Sequence, residues 1–389
     1  MPFSAVYFYV HFCYYQYNDF TVRKSLNMIE GTIGLEKYLS DGIEDLVKDA
    51  IRVTLKEPKE SIFMMSFMNA CKKAALIRKK HESKGEHIPS FLISSITSDC
   101  NLHCKGCYSR ANRECFDGVD NTQMTKDEWL RIFKEAKDMG VSFILLAGGE
   151  PLMRKDVILA AASVKSILFP VFTNGTMIAD EYISIFNDSR NLLPVLSIEG
   201  NEKYTDTRRG SGIYKKLMGI MERLHEKRII FGTSITVTKD NSSEVTSDDF
   251  IDILKEKGCK IVLYVEYVPV DEKSTENAFG DEERLLMEQR LKELRDTHKD
   301  IIFISFPGDE KASGGCLAAG RGFFHINAGG AAEPCPFSPY SDMNIRNMPL
   351  IEALHSPLFR SLNEKGFLTG EHTGGCVLFE KKADVEKIV

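Results

Sequence analysis

The chain has 389 residues, 43% hydrophobic and 27% charged, with ten cysteines and a formal net charge of −6. That length buries a large core and suggests two or more units, while the mild acidity excludes a global attraction to nucleic acid or an anionic membrane. The cysteines lie in unequal clusters unlike a secreted disulfide framework, so free thiols in a reducing cytoplasm are expected.

Residues 1–27 contain an aromatic, apolar run from Val6 to Tyr15. It is too short to span a bilayer and lacks the basic start and cleavage site of a secretory signal. Its period-two pattern suits a strand, or else Met28 is the natural start; it is assigned no function. Residues 28–90 read as a helical segment. Ile43, Leu46, Val47 and Ile51 recur at helical spacing, and Pro58 marks a break. A second helix places Ile62, Phe63, Phe67, Met68, Cys71, Ala75 and Leu76 on an apolar side and ends in Arg78-Lys79-Lys80-His81. Such a helix either lies on a membrane or partner or covers one side of a barrel. The covering role is preferred, and no membrane contact is expected.

Residues 91–305 alternate short apolar runs with longer helical patterns. Strands are expected at 91–97, 142–147, 168–173, 192–198, 229–238 and 260–268. Helices are expected near 125–139, 154–167, 179–187, 212–227, 247–257 and 281–298. Alternation of this kind predicts an α/β fold of parallel strands with right-handed crossovers. Six units make a partial, TIM-like (β/α)6 barrel, with a doubly wound sheet as the alternative. Either way the chemistry belongs at the carboxyl ends of the strands.

The first strand runs into Cys100, Cys104 and Cys107, three cysteines in eight residues. Thiolates this close can turn onto one metal centre, as in iron–sulfur proteins. Three ligands would leave a cubane iron open, unless His103 completes a zinc site. The spacing Cys100-x3-Cys104-x2-Cys107 resembles the signature of the radical S-adenosylmethionine (SAM) enzymes. That resemblance implies a 4Fe–4S cluster whose open iron chelates SAM, and a 5′-deoxyadenosyl radical that abstracts hydrogen from a substrate. The family often has an aromatic just before the third cysteine, near the adenine; here Gly106 stands there and Tyr108 follows, so Tyr108 is carried as a cofactor-binding candidate.

Later strand ends supply further candidates. Gly148-Gly149-Glu150-Pro151 follows the second strand and matches the family's GGEP motif, implying that Gly148 and Gly149 backbone and Glu150 receive the SAM amino group. Taken alone it is a Gly-Gly turn. Asn174 after the third strand reads either as a turn or as a ligand contact. Ser197 and Glu199 share one face of the fourth strand and resemble the family's ribose contacts. Arg209, followed by Gly210, is similar to the residue that pairs with the SAM carboxylate, with Arg208 as the alternative; a guanidinium fork suits that role. Glu266 on the sixth strand, among apolar neighbours, needs a partner or an open mouth and is read as a SAM or substrate contact.

In residues 306–389 the composition shifts toward glycine and proline. Cys316…Gly330-x4-Cys335-Pro336, with a helix carrying Leu350, Ile351, Leu354 and Leu358, resembles the opening of the SPASM extension of radical SAM enzymes. Only Cys376 follows, so the one-cluster version called twitch is the closer likeness. It implies an auxiliary 4Fe–4S cluster on Cys316, Cys335 and Cys376. Zinc completed by His325 or His372, and a plain thiol cluster, stay open as alternatives. Cys13, Cys71, Cys115 and Cys259 read as scattered buried thiols.

The combined expectation is a radical SAM enzyme served by a low-potential donor of flavodoxin or ferredoxin type. Its substrate is a cofactor, small molecule or peptide. The helical pattern of residues 28–90 favours a small molecule, lipid or cofactor. An iron–sulfur electron carrier or a zinc-stabilised binding protein would explain the cysteines but not the residues at successive strand ends.

Overall fold

The computed structural model describes residues 28–54, 57–117, 122–270, 272–369 and 375–389. The 1–27 segment with Cys13, and His372, lie outside the described residues. Two helices open the structure, α1 (Met28–Val53) and α2 (Pro58–Glu82). Strands and helices then alternate: β1 (Phe91–Ser95), α3 (Lys126–Met139), β2 (Phe143–Ala147), α4 (Lys155–Ser163), β3 (Phe169–Thr173), α5 (Asp180–Asp188) and β4 (Leu192–Ser197). They continue with α6 (Glu202–Arg209), α7 (Ile213–Glu226), β5 (Gly232–Val237), α8 (Asp248–Glu256), β6 (Ile261–Glu266), α9 (Asp281–Thr297) and β7 (Ile302–Phe306).

β1 to β7 pair in chain order, every pair parallel. The α/β class holds, and the sheet gains a seventh parallel strand beyond the six expected. Alternate residues divide the strands between two cores, as the period of two requires. Leu92, Ile144, Val171, Leu196, Ile235 and Val262 join the core with the outer helices. Leu145, Phe172, Val195, Ile261 and Ile304 face the other way, onto α1 and α2. A helix pair that reaches β2 through β7 at once requires that face to be concave. The ring of Phe323 lies 5.0 Å from Phe91 on β1 and 5.8 Å from Phe306 on β7, bridging the gap of this partial barrel.

Local sequence explains the helix ends. α3 begins with a reciprocal capping box between Thr125 and Glu128 and ends at Gly140, whose φ of 92° is left-handed. Trp129, Ile132, Phe133, Ala136 and Met139 give it one buried face.

α2 covers the barrel as expected, with its buried face turned: Phe67 and Cys71 of the expected side are buried and Phe63 and Met68 pack against the core. Ile62 and Leu76 are 65% and 69% exposed, while Glu60, Met64, Phe67, Cys71, Ala74 and Arg78 are buried. Charge decides this rotation. Glu60 accepts from Arg190 and from the Ile230 N–H. Arg78 donates to the Gly140 carbonyl at 2.6 Å and to Ser40 Oγ at 2.8 Å, partners that make its burial tolerable. Among the described residues no helix is long and apolar enough to cross a membrane.

The sheet continues past residue 306. β8 (His325–Ile326) pairs parallel to β1, through Ile93 opposite His325, and β9 (Ala331–Glu333) and β10 (Met343–Asn344) follow antiparallel. The helix expected around Leu350 to Leu358 is split into a 3-10 stretch, Leu350–His355, and α10, Pro357–Glu364, because Ser356 breaks the run and caps the Phe359 N–H.

Candidate active site

The loop after β1 holds Cys100, Cys104 and Cys107, all half-buried and free. Burial pushes the pKa of the Cys104 thiol up, Arg209 opposes that rise, and Cys107 and Cys100 add to it, so the three sulfurs are electrostatic neighbours. The Lys105 N–H donates to the Arg208 carbonyl at 2.8 Å, fixing the loop to α6. Cys115, expected to be a scattered thiol, instead lies beside Cys100; the interaction lowers the Cys100 pKa and raises that of Cys115. His103 turns to exposed Asp117 at 3.0 Å, a surface pairing that does not make it a fourth metal ligand.

The β2 loop is seated against the cysteine loop by backbone. The Gly149 N–H donates to the Thr97 carbonyl at 2.8 Å and the Glu150 N–H to the Asp99 carbonyl at 2.7 Å. A Cβ on Gly148 would stand 2.3 Å from Thr97 O, and one on Gly149 2.1 Å from Asp99 O. The two glycines are therefore required by the approach of one loop to the other. Glu150 is 1% exposed, and burial pushes its carboxyl up to about 7. It accepts from Thr173 Oγ1 at 2.7 Å, the Asn174 N–H at 2.8 Å and the Leu152 N–H at 3.0 Å. The carboxylate thus brackets the β2 and β3 loops, with one of its roughly four acceptor positions left over. Pro151 starts the 3-10 turn that follows. Asn174 donates to Asn101 Oδ1 at 2.9 Å, tying the β3 loop to the cysteine loop as well.

At the end of β4, Ser197 is half-buried and Glu199 is buried. Glu199 and Arg209, assigned to different parts of the ligand from sequence, meet as a pair. Arg209 Nε and Nη2 donate to Glu199 Oε1 at 2.9 and 2.5 Å, and the Thr236 N–H donates to Oε2 at 3.1 Å. Arg209 Nη1 stands 4.0 Å from Cys104 Sγ. Tyr108 turns its ring to Phe337, 4.9 Å away in the carboxyl-terminal unit. The aromatic beside Gly106 is Tyr267, whose OH would lie 2.8 Å from a Cβ there. Sequence reasoning missed Tyr267, although it directly follows the sixth strand.

A second set of thiols gathers beyond the other edge of the barrel. Cys316, Cys335 and Cys376 line one small cavity with Glu310, Phe306 and Phe337. Burial raises all three, Cys376 to about 12, and the Cys335 rise is reinforced by Cys376 and Cys316. The same burial pushes Glu310 up to about 8. Glu266 also borders this cavity. Its carboxylate takes Arg284 Nε and Nη2 at 2.9 and 2.8 Å, so the partner its apolar neighbours called for is an arginine of α9. His325 is occupied away from these thiols, with Ser95 Oγ and Glu333 Oε2 each at 2.7 Å. Glu114 joins it in a buried cluster whose ligating atoms lie within 4.8 Å of one another. No spacing in the sequence could have brought Glu114, His325 and Glu333 together.

Three thiols at the mouth of a parallel barrel, with glycine-seated loops and a guanidinium beside them, define a cluster-dependent enzyme of the α/β class. The chain matches the radical SAM superfamily model over residues 94–251. It is a radical SAM enzyme, whose cofactors are a 4Fe–4S cluster and SAM and whose chemistry needs a reductant and a substrate. An AdoMet-dependent heme synthase of Methanosarcina barkeri is 28% identical over 314 residues, 73% of this chain and 87% of that protein. The sporulation killing factor maturation protein SkfB of Bacillus subtilis is 25% identical over 194 residues, 48% of this chain and 46% of that one. The structure of Streptococcus suis SuiB bound to its precursor peptide SuiA shares the fold, with a TM-score of 0.60 at 18% identity over 77% of this chain and 72% of that one.

Proposed function

We propose that Cys100, Cys104 and Cys107 hold the 4Fe–4S cluster and that the neighbouring strand ends hold SAM. The observation that carries this is the convergence of three loops on those thiols, with Arg209 4.0 Å from Cys104. Bound there, the cluster and SAM supply one-electron cleavage of a sulfonium and, through it, hydrogen-atom abstraction. The chain's own residues position and insulate. Gly148 and Gly149 keep the β2 loop against the cysteine loop, and the remaining acceptor position of Glu150 takes the ammonium. Arg209, held by Glu199, presents its Nη1 end to the carboxylate. Ser197 faces the ribose, and Asn174 fixes the loop around it. Tyr267 takes the aromatic place beside Gly106 that Tyr108 leaves. Anaerobic protein given dithionite and SAM should release 5′-deoxyadenosine, and Cys104→Ala should abolish it; release unchanged by that substitution refutes the assignment.

Cys316, Cys335 and Cys376 hold an auxiliary 4Fe–4S cluster in this reading, residues 306–389 forming the SPASM- or twitch-like unit that carries it. Their thiols border a single cavity, and a buried thiol that is hard to ionise alone is stabilised as a metal-bound thiolate. The substrate class favoured is a small molecule or cofactor. The likeness to a heme synthase spans most of both chains, and α1 and α2 are spent on closing the barrel. An iron porphyrin is the first substrate to try, with electrons from a flavodoxin or ferredoxin. A peptide substrate is the second reading, favoured by the SuiB fold; SAM cleavage stimulated by short peptides and not by porphyrins would select it.

A further inference from the structure

We infer that Glu310 is the fourth protein ligand of the second metal site, an oxygen donor that completes the three thiolates of Cys316, Cys335 and Cys376. The inference rests on the auxiliary-cluster reading above and deepens it: the site is closed by the chain itself instead of being left open for substrate.

Glu310 stands in the 3-10 turn Gly308–Ser313 that leaves β7, and its side chain borders the same cavity as the three cysteines. The residue is 7% exposed, and its Oε1 has no hydrogen-bond partner. A carboxylate sealed from water is costly unless a cation or a set of donors receives it. Cys316 and the Leu317 backbone are close enough to act on the carboxylate, which places it near a proposed ligand. Neither nearby arginine serves as its ion-pair partner. Arg321 donates to the carbonyls of Cys316 and Ser313, and Arg284 is spent on Glu266 and Asp281. The rest of the wall is largely apolar, including Val268, Phe306, Phe337, Val377 and Leu378.

An unpartnered oxygen that borders the same apolar cavity as three free thiols suits the donor set of a metal cluster. Iron accepts a carboxylate readily, and a cubane with three sulfur ligands has one iron to fill. Neither His103 nor His325 competes, since both are paired elsewhere. With Glu310 in place the second cluster has no vacancy, so its part is electron transfer or stabilisation of the fold, and substrate does not bind to its iron.

The test uses the full chain with Cys100, Cys104 and Cys107 changed to alanine, so that only the second site can be loaded. After anaerobic reconstitution this parent should hold about four irons, and its reduced low-temperature EPR spectrum should be indifferent to cyanide. Glu310→Ala opens the iron, so its spectrum should shift when cyanide is added. Glu310→Cys should again be indifferent, with altered g-values. A parent spectrum that already responds to cyanide, or a Glu310→Ala spectrum identical to the parent with and without cyanide, overturns the inference while leaving the cluster. If Glu310→Ala holds no iron, restoration by Glu310→Cys supports the assignment and failure to restore overturns it. A parent that takes up no iron removes the auxiliary-cluster reading itself and this inference with it.

Discussion

Adding one methyl group at Gly149 should dismantle the proposed SAM cradle from within. The new Cβ would sit 2.1 Å from Asp99 O and 2.5 Å from Asp99 C. Reaching an ordinary separation of 3.4 Å requires the β2 loop to withdraw by roughly 1 Å, which takes both inter-loop bonds beyond hydrogen-bonding range. Those bonds, 2.8 and 2.7 Å long, contribute about 1 kcal/mol each, and overpacking against rigid backbone adds about 1–3 kcal/mol. Gly149→Ala should therefore lose about 1–3 kcal/mol to overpacking if the loop holds its place, and about 2 kcal/mol of hydrogen bonding if it withdraws. If the loop moves instead, the Cys100 segment moves with it and cluster iron and SAM binding fall. Urea unfolding, iron content and equilibrium dialysis with SAM measure the two routes together. Gly219→Ala in α7 is the control, because a Cβ there meets nothing within 4 Å; it should be neutral or stabilise by about 0.5–1 kcal/mol. A Gly149→Ala protein with parental stability, iron and SAM affinity refutes the reasoning.

Other outcomes follow from the same geometry. Glu199→Ala strands the Arg209 guanidinium and should cost about 3–5 kcal/mol, read by urea unfolding; a loss below about 1 kcal/mol would mean that solvent already reaches the pair. Cys115→Ser should leave the iron content of the first site unchanged, since Cys115 is a neighbour of Cys100 and not one of the three proposed ligands; loss of iron would show it to be a ligand. Arg346, followed by the Thr125 N–H, holds the Glu128 carboxyl down from 4.5 to about 2. The ionised carboxylate thus stabilises the fold fully above about pH 4.5 and loses that contribution as the pH falls toward 2. Glu128→Gln should lower stability by roughly 0.5 kcal/mol at neutral pH, with the gap to the parent narrowing below about pH 4.5. A gap that stays constant on acidification contradicts this.

Strands and helices that alternate are easy to read, because each strand is bounded by a helix of a different period. β7 escaped that rule, since a loop follows it where a helix would have marked its end. α6 escaped because Glu202–Arg209 is eight polar and charged residues with almost no apolar period. The cysteine and glycine clusters were legible because their chemistry depends on short spacing. Partnerships across the fold were not. Glu199 and Arg209 were each noticed, but only the turn into α6 reveals that one neutralises the other. The buried face of α2 is only partly legible, because a glutamate and an arginine with distant partners, Arg190 and the Gly140 carbonyl, turn the helix so that Ile62 and Leu76 leave the core. Glu310 belongs to no motif, and only the cavity it shares with three thiols singles it out.

The join between β8 and β1 has a consequence for how the chain can be cut. The Ile93 N–H donates to the Phe324 carbonyl at 3.1 Å and the Phe91 N–H to that of Gly322 at 3.3 Å, so a protein ending at residue 305 would bare the flank of its first strand. Exposed strand flanks recruit other chains, and such a fragment should self-associate instead of behaving as a free-standing catalytic half. Swapping this tail between relatives would succeed only where the replacement brings its own strand to seal that seam.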